Sequence, residues 1–186
     1  YEMIASLVGS EMCIRDKVYA ASVSAYGSMP ATQWPCEGAK VDLNVLWLNE
    51  SQLNIMHLSE ALGVAYNFVK LKLGTVKIKE FEWQKEIYGY VSIPGAFSFN
   101  ENKPKRLSAL KAQNTNLRGI YESEALIYLK TFLDVNDKNF PQWLDDVIND
   151  KIYRLEIHKI LKSKAIQPQN PNWEVLETNL KGKLII

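Results

Sequence analysis

Residues 38–73, GAKVDLNVLWLNESQLNIMHLSEALGVAYNFVKLKL, constrain this chain more than any other stretch. Val41, Leu43, Val45 and Trp47 alternate with Asp42, Asn44 and Leu46. That two-residue period predicts a strand over 41–48. Asn49 follows, with Gln52 three residues on. An Asn side chain accepts from the free N–H groups of a first helical turn, and Gln at the third position reaches back, so the pair predicts a helix start. The helix runs to about Leu62, and Gly63 is its natural stop. Residues 64–73 resume strand character. Within the helix, Leu53, Met56, His57 and Glu60 fall at i, i+3, i+4 and i+7, on one face. Leu53 and Met56 mark that face as inward. One carboxylate, Glu60, therefore stands where a helix face should be apolar.

The flanking chain reads as more strands, then helices. Residues 17–25, KVYAASVSA, alternate, with Val18, Ala20, Ser22 and Ser24 on one side and Tyr19, Ala21, Val23 and Ala25, the core side, on the other. Tyr26-Gly27-Ser28 breaks this pattern, Met29-Pro30 turns the chain, and 31–34 form a short strand before a turn at 35–38. Gly74-Thr75 predicts a hairpin from 64–73 back through 76–83. Residues 86–93 are another strand, closed by Pro94-Gly95, and 96–99 a short one. The polar stretch 100–116 is a surface loop whose Lys103-Pro104-Lys105-Arg106 run is solvated. One helix follows over 122–133, with Ala125, Leu126, Leu129 and Phe132 inward. A second starts at Pro141, buries Leu144, Val147, Ile148, Ile152 and Leu155, continues to Leu161, and ends before Pro168 and Pro171. Residues 173–186 are a strand or a docked tail. Strands with one inserted helix, followed by helices, predict an α+β fold.

The chain opens at Tyr1, and Ser6 to Asp16 read SLVGSEMCIRD. That run resembles the in-frame translation of a transposon-derived sequencing adapter. Residues 1–16 are therefore set aside as adapter-derived, and 17–186 are expected to be one domain: a barrel core over 17–99, a loop over 100–120, helices over 121–167 and a tail over 168–186. Removing Arg15 from the 22 basic side chains, and Glu2, Glu11 and Asp16 from the 21 acidic ones, leaves 21 and 18, a net of +3. So mild a charge argues against nucleic acid or an anionic membrane as partner. No apolar run approaches the roughly 20 residues of a membrane helix. With Cys13 set aside, Cys36 stands alone, so no internal disulfide forms and a reducing, cytoplasmic compartment is expected. No phosphate-loop, dinucleotide or zinc signature is present, and no cofactor is expected.

Gly38, the strand 41–48, Leu53 and Met56 on the helix, Glu60, and Tyr66 before the next strand together resemble the gamma-glutamylcyclotransferase-like family. Pro30-Ala31-Thr32 resembles the segment that precedes the family's glycine. The resemblance covers about residues 17–91 and leaves the helical C-terminal third unmatched. It implies a small, mostly antiparallel β-barrel with helices around it, N-terminally truncated here, and a small-molecule substrate. It also implies Glu60 as the catalytic residue, set against an ordinary half-exposed Glu at a helix end, with Tyr66, set against a packing role, and the Tyr26-Gly27-Ser28 triplet in substrate binding. The triplet departs from the family, because it lies closer to Glu60 than the family's loop does and follows a strand that fits the family's second strand better. It is read either as the substrate loop or as a structural turn, the true loop then lying upstream and lost.

In that family's reaction the substrate's own α-amine attacks its γ-carbonyl, giving 5-oxoproline. A base must take a proton from the amine, and the leaving amine must receive one. A single carboxylate can do both if burial raises its pKa. His57 is a candidate second acid–base group beside Glu60, set against a structural role. Tyr88 and Tyr90 line the barrel or pack its core. His158 is read as solvent-facing, and Cys36 has no identifiable base to make it a nucleophile. Three functional classes stay open: a cyclotransferase-like enzyme, a non-catalytic barrel that binds a small molecule or protein, and a C-terminal third that serves as an interaction element. The oligomeric state is not readable.

Overall fold

The computed structural model describes residues 2–6, 17–24, 29–35, 44–73, 86–98, 103–104 and 140–176. In chain order these hold β1 (Glu2–Ser6), β2 (Lys17–Tyr19), β3 (Ala31–Gln33), β4 (Asn44–Leu48), α1 (Glu50–Ser59), β5 (Tyr66–Leu71), β6 (Ile87–Ser92), β7 (Ala96–Phe97), α2 (Phe140–Asn149), α3 (Lys151–Ser163), β8 (Ala165–Ile166) and β9 (Trp173–Val175). The architecture is α+β, with antiparallel pairing predominant. The chain divides into two compact units interleaved in sequence: residues 1–16, 33–93 and 168–186 form one, and residues 17–32 and 94–167 the other.

The first unit is built on a five-stranded sheet in the order β4-β1-β6-β5-β9. β1 runs antiparallel to β4 and parallel to β6, while β5 is antiparallel to both β6 and β9. Phe68 lies opposite Tyr90, and Val69 opposite Gly89. Because successive side chains point to opposite faces, this register sorts the sheet into two apolar layers. Val69, Leu71, Ile87, Val91 and Trp173 form one, with Val45 against it. Phe68 and Tyr90 form the other, together with Leu53 of α1 and Leu62 just after it. Each fully buried side chain of this size contributes roughly 1.5–3 kcal/mol.

The expected barrel is not found: among the described residues the five strands make an open sheet with β4 and β9 at its edges. The alternation within a strand says which residues share a face. Closure requires the first strand to pair with the last, and no single-strand period encodes that. β1 lies within the residues set aside as adapter-derived, yet it occupies an interior place between β4 and β6. Trp47, on edge strand β4, is 54 % exposed.

α1 starts as its capping residues dictate. The Asn49 side chain accepts from the Gln52 N–H at 2.9 Å, and the Asn49 N–H donates to the Gln52 side chain at 3.0 Å. Asn49→Ala removes one half of this box and is expected to cost about 1 kcal/mol, read as a lower denaturant midpoint at unchanged slope.

The helix stops earlier than Gly63. Glu60 is its C-cap, and Ala61 takes a left-handed φ of 46°. The Leu62 N–H donates to the His57 carbonyl at 3.0 Å and the Ala61 N–H to the Leu58 carbonyl at 3.1 Å. These are the two bonds of a Schellman end, with alanine at the position usually held by glycine. Ala61→Gly should relieve the Cβ strain and raise stability by about 0.5–1 kcal/mol. Equilibrium unfolding of the two proteins measures it.

The second unit pairs β2 with β3 and β7 with β8. The expected strand over 17–25 ends at Tyr19 with a single bridge from Ala20 to Ala96. Its faces are not divided into inner and outer, since Val18, Tyr19, Ala20 and Ala21 are all buried. Gly95 must be glycine: at its φ of 90°, a Cβ would stand 2.4 Å from the Ile166 carbonyl oxygen.

The single helix expected from Pro141 to Leu161 is in fact two. Asp150 is extended, and its carboxylate accepts from the Ile152 and Tyr153 N–H groups at 2.8 and 3.1 Å, ending α2 and capping α3. Arg154 Nη1 donates to the carbonyls of Val147 and Ile148 at 2.9 and 2.7 Å, satisfying the end of α2. One non-helical residue resets the 3.6-residue phase, so the inward stripe is not the expected one. Val147 and Leu161 are buried together with Trp143 and Ile157, whereas Ile148, Ile152 and Leu155 are exposed. His158 is half-buried, not solvent-facing, and burial and then nearby Lys162 hold its pKa below the usual value.

Tyr26, Gly27 and Ser28, Cys36, Gly38, the returning strand 76–83 and the helix 122–133 lie outside the described residues. So does the 100–116 loop except Lys103 and Pro104. Among the described residues, no helix is long and apolar enough to cross a membrane.

Candidate functional site

The site is the inward face of α1 where it lies on the sheet of the first unit. Of the ten helical residues only Leu53 is buried, with Met56 and His57 half-buried and the rest exposed. Glu60, at the cap, is half-buried as well. The four residues at i, i+3, i+4 and i+7 are thus the ones turned inward. Ile55 and Leu58, apolar but on the opposite side, are exposed.

His57 is held by two residues, Tyr90 and Phe68. Its Nδ1 lies 2.7 Å from the Tyr90 hydroxyl oxygen. Its ring stands edge-on to Phe68 at 4.7 Å between centroids, and to Tyr90 at 5.8 Å. Phe68 in turn stacks on Tyr88 at 5.2 Å and is tilted against Tyr90 at 5.4 Å. Edge-to-face and offset stacks place the positive ring edge on a negative face, so the nest is electrostatically as well as sterically satisfied. Burial holds the imidazole below its ordinary pKa of 6.5, which keeps it neutral at neutral pH.

Glu60 is placed by the helix end. Its N–H still donates to the Met56 carbonyl at 2.9 Å, so its Cα continues the inward face. The turn that follows leads directly into β5, where the Gly63 N–H donates to the Tyr66 carbonyl at 2.8 Å. Glu60 and Tyr66 are thereby close enough to interact electrostatically. Burial raises the Tyr66 pKa strongly and the Glu60 carboxylate adds to it, so Tyr66 stays a protonated phenol. Burial also raises the Glu60 pKa above 4.5. No cation offsets that rise: among the described residues, no hydrogen bond or ion pair holds the Glu60 carboxylate. Elsewhere on the sheet Lys70 pairs with Glu86 at 3.0 Å and lies 3.9 Å from Glu174.

Such an arrangement can exchange protons. A desolvated carboxylate with a raised pKa holds its proton to a higher pH than an exposed one, which suits it to acid–base exchange. A neutral imidazole and a phenol lie on the same layer. Glu60 and Tyr66 come together, with His57 one turn before Glu60. Tyr88 lies on the same layer, its hydroxyl donating to Glu86.

Tyr90 and Phe68 were not linked to His57 by sequence reasoning. The two-residue period does put Phe68 on one face of its strand and Tyr90 on one face of its own. Only the cross-strand register makes them neighbours. Among the described residues no group of three or more His, Cys, Asp or Glu side chains could hold a metal ion. Compared with known proteins, the chain matches no family model, no curated protein and no solved structure.

Proposed function

We propose that the chain is a gamma-glutamylcyclotransferase-like enzyme that converts a small γ-glutamyl amine or amide to 5-oxoproline, with Glu60 as the single acid–base group. The observation that carries this is the Glu60 carboxylate, turned inward at the end of α1, desolvated, and held by no partner among the described residues. In the reaction, Glu60 takes a proton from the substrate's α-ammonium. The freed amine forms a bond to the γ-carbonyl carbon. The bond from that carbon to the leaving amine breaks as Glu60 returns its proton to the leaving nitrogen, and the ring nitrogen, which still carries two hydrogens, passes the second through Glu60 to the departing amine, leaving a lactam N–H and an ammonium product. The Tyr66 phenol, kept protonated, is a hydrogen-bond donor for the oxygen that gains charge.

The test is to incubate the full chain with γ-glutamyl amides and measure 5-oxoproline by mass. Release that disappears in Glu60→Gln supports the reading, and unchanged release in that variant rejects the role of Glu60. The open sheet favours a second reading, a non-catalytic domain that binds a small molecule or a protein. That reading expects thermal stabilisation by ligand without turnover, unaffected by Glu60→Gln.

A further inference from the structure

β4 is one edge of the five-stranded sheet, with β1 as its single strand neighbour among the described residues. Its pairing with β1 is regular over five residues, from Glu2 opposite Leu48 to Ser6 opposite Asn44, with no bulge to turn the edge away. In such a ladder alternate residues bond the neighbour, and those between them turn their N–H and C=O groups outward. Proteins ordinarily blunt an edge of this kind with a charge, a proline, a bulge or a very short strand. Asn44-Val45-Leu46-Trp47-Leu48 has none of these.

The side chains of β4 carry both apolar layers of the sheet out to that edge. Val45 packs against the layer that holds Val69 and Ile87, and Leu48 against the layer that holds Phe68 and Tyr90. Strand alternation puts Trp47 on the Val45 face and Leu46 on the Leu48 face. Trp47 is 54 % exposed and Leu46 38 % exposed, so each layer ends at the edge in an apolar side chain that water reaches.

This edge is complementary to itself. Antiparallel pairing about a two-fold axis at Leu46 sets Leu46 opposite Leu46, Val45 opposite Trp47 and Asn44 opposite Leu48. No charges oppose one another, and an aromatic side chain faces a β-branched one twice, a favourable cross-strand pair. The other edge differs. β9 has three residues, and a two-fold at its central Glu174 would set carboxylate against carboxylate. Within the sheet Glu174 lies 3.9 Å from Lys70. Pairing β4 with the β9 of another copy would leave an open edge at each end and continue into a filament, along a shorter and charged ladder.

We propose that the β4 edge binds a second copy of this chain, the two β4 strands pairing antiparallel about Leu46 so that two five-stranded sheets become one. Because β9 opposes its own pairing, assembly closes at two copies. The proposal is independent of the chemistry assigned to Glu60.

Sedimentation velocity of the full chain over a range of concentrations tests it, with a monomer–dimer equilibrium and nothing larger as the expected result. Leu46→Lys sets two ammonium groups face to face and should raise the dimer Kd at least tenfold. Val175→Lys, on the β9 edge at a position 53 % exposed, should leave it unchanged. A second measurement reads the register directly. In a chain carrying Cys13→Ser and Cys36→Ser, Leu46→Cys places two Cα atoms roughly 4.5–5.5 Å apart across the two-fold, within disulfide reach. Mild oxidation should then give a covalently linked dimer, whereas Val175→Cys should not. A monomer throughout, assemblies larger than two, a dimer indifferent to Leu46→Lys, or no linkage through Leu46→Cys overturns the proposal.

Discussion

Glu60→Gln is expected to lower kcat/KM for 5-oxoproline formation by about 10²–10⁴-fold, the usual share of a general acid–base group. The substitution keeps the size and the hydrogen-bonding shape and removes only the ability to exchange a proton. It should not damage the fold. The Glu60 pKa is raised by burial, so the folded chain holds that proton more tightly than the unfolded chain does. The stability it contributes is complete below the ordinary value of 4.5 and is lost as pH rises through the folded value. Wild type should therefore lose stability relative to Glu60→Gln as pH climbs from about 4 to neutrality, and the two should converge in acid. Denaturant midpoints measured across that range check the sign. A wild type that gains on the variant with rising pH would mean that the carboxylate is paired in its charged form. On the proposed function, activity and stability move in opposite directions at this residue.

Phe68→Ala is expected to carry the largest stability loss in the first unit, about 3–5 kcal/mol. Phe68 is 5 % exposed and joins every part of the aromatic layer: it faces Tyr90 across the strands, stacks on Tyr88 and closes on His57. Its removal leaves a cavity between α1 and the sheet that the stiff neighbouring rings cannot fill. Phe68→Leu keeps most of the volume and should cost distinctly less. Denaturant unfolding gives both values, and a loss below 1 kcal/mol for the alanine variant would mean that α1 does not rest on this layer. A second readout follows from the same packing. With one wall gone, water reaches the imidazole, and the His57 pKa should rise back toward 6.5, visible in its proton resonances.

The legible parts of this chain share one property: their signals lie within a few residues. Asn49 and Gln52 specify where α1 starts because the capping bonds span three residues. Leu53, Met56, His57 and Glu60 share a face because a helix repeats every 3.6 residues. β5 and β6 fall within the stretches 64–73 and 86–93 read as strands. Where a local signal competed with another, the reading slipped. Gly63 looked like the helix stop, but Ala61 takes the left-handed turn, since the Leu62 side chain is drawn into the layer with Leu53 and Phe68. The stretch from Pro141 to Leu161 reads as one helix, but the Asp150 carboxylate accepts from two free N–H groups and starts a second one.

By itself, then, the order of residues determined the strand–helix–strand run of β4, α1 and β5, the inward face of α1 and the odd carboxylate upon it. Tertiary structure alone decided that the sheet is open, that a strand at residues 2–6 enters it, and that Tyr90 reaches His57 while Phe68 walls it in. The reason is physical. Periods and caps are short-range and written once along the chain. Which strand pairs with which, and in what register, is settled by the burial gained when distant segments meet, and that quantity belongs to no single segment.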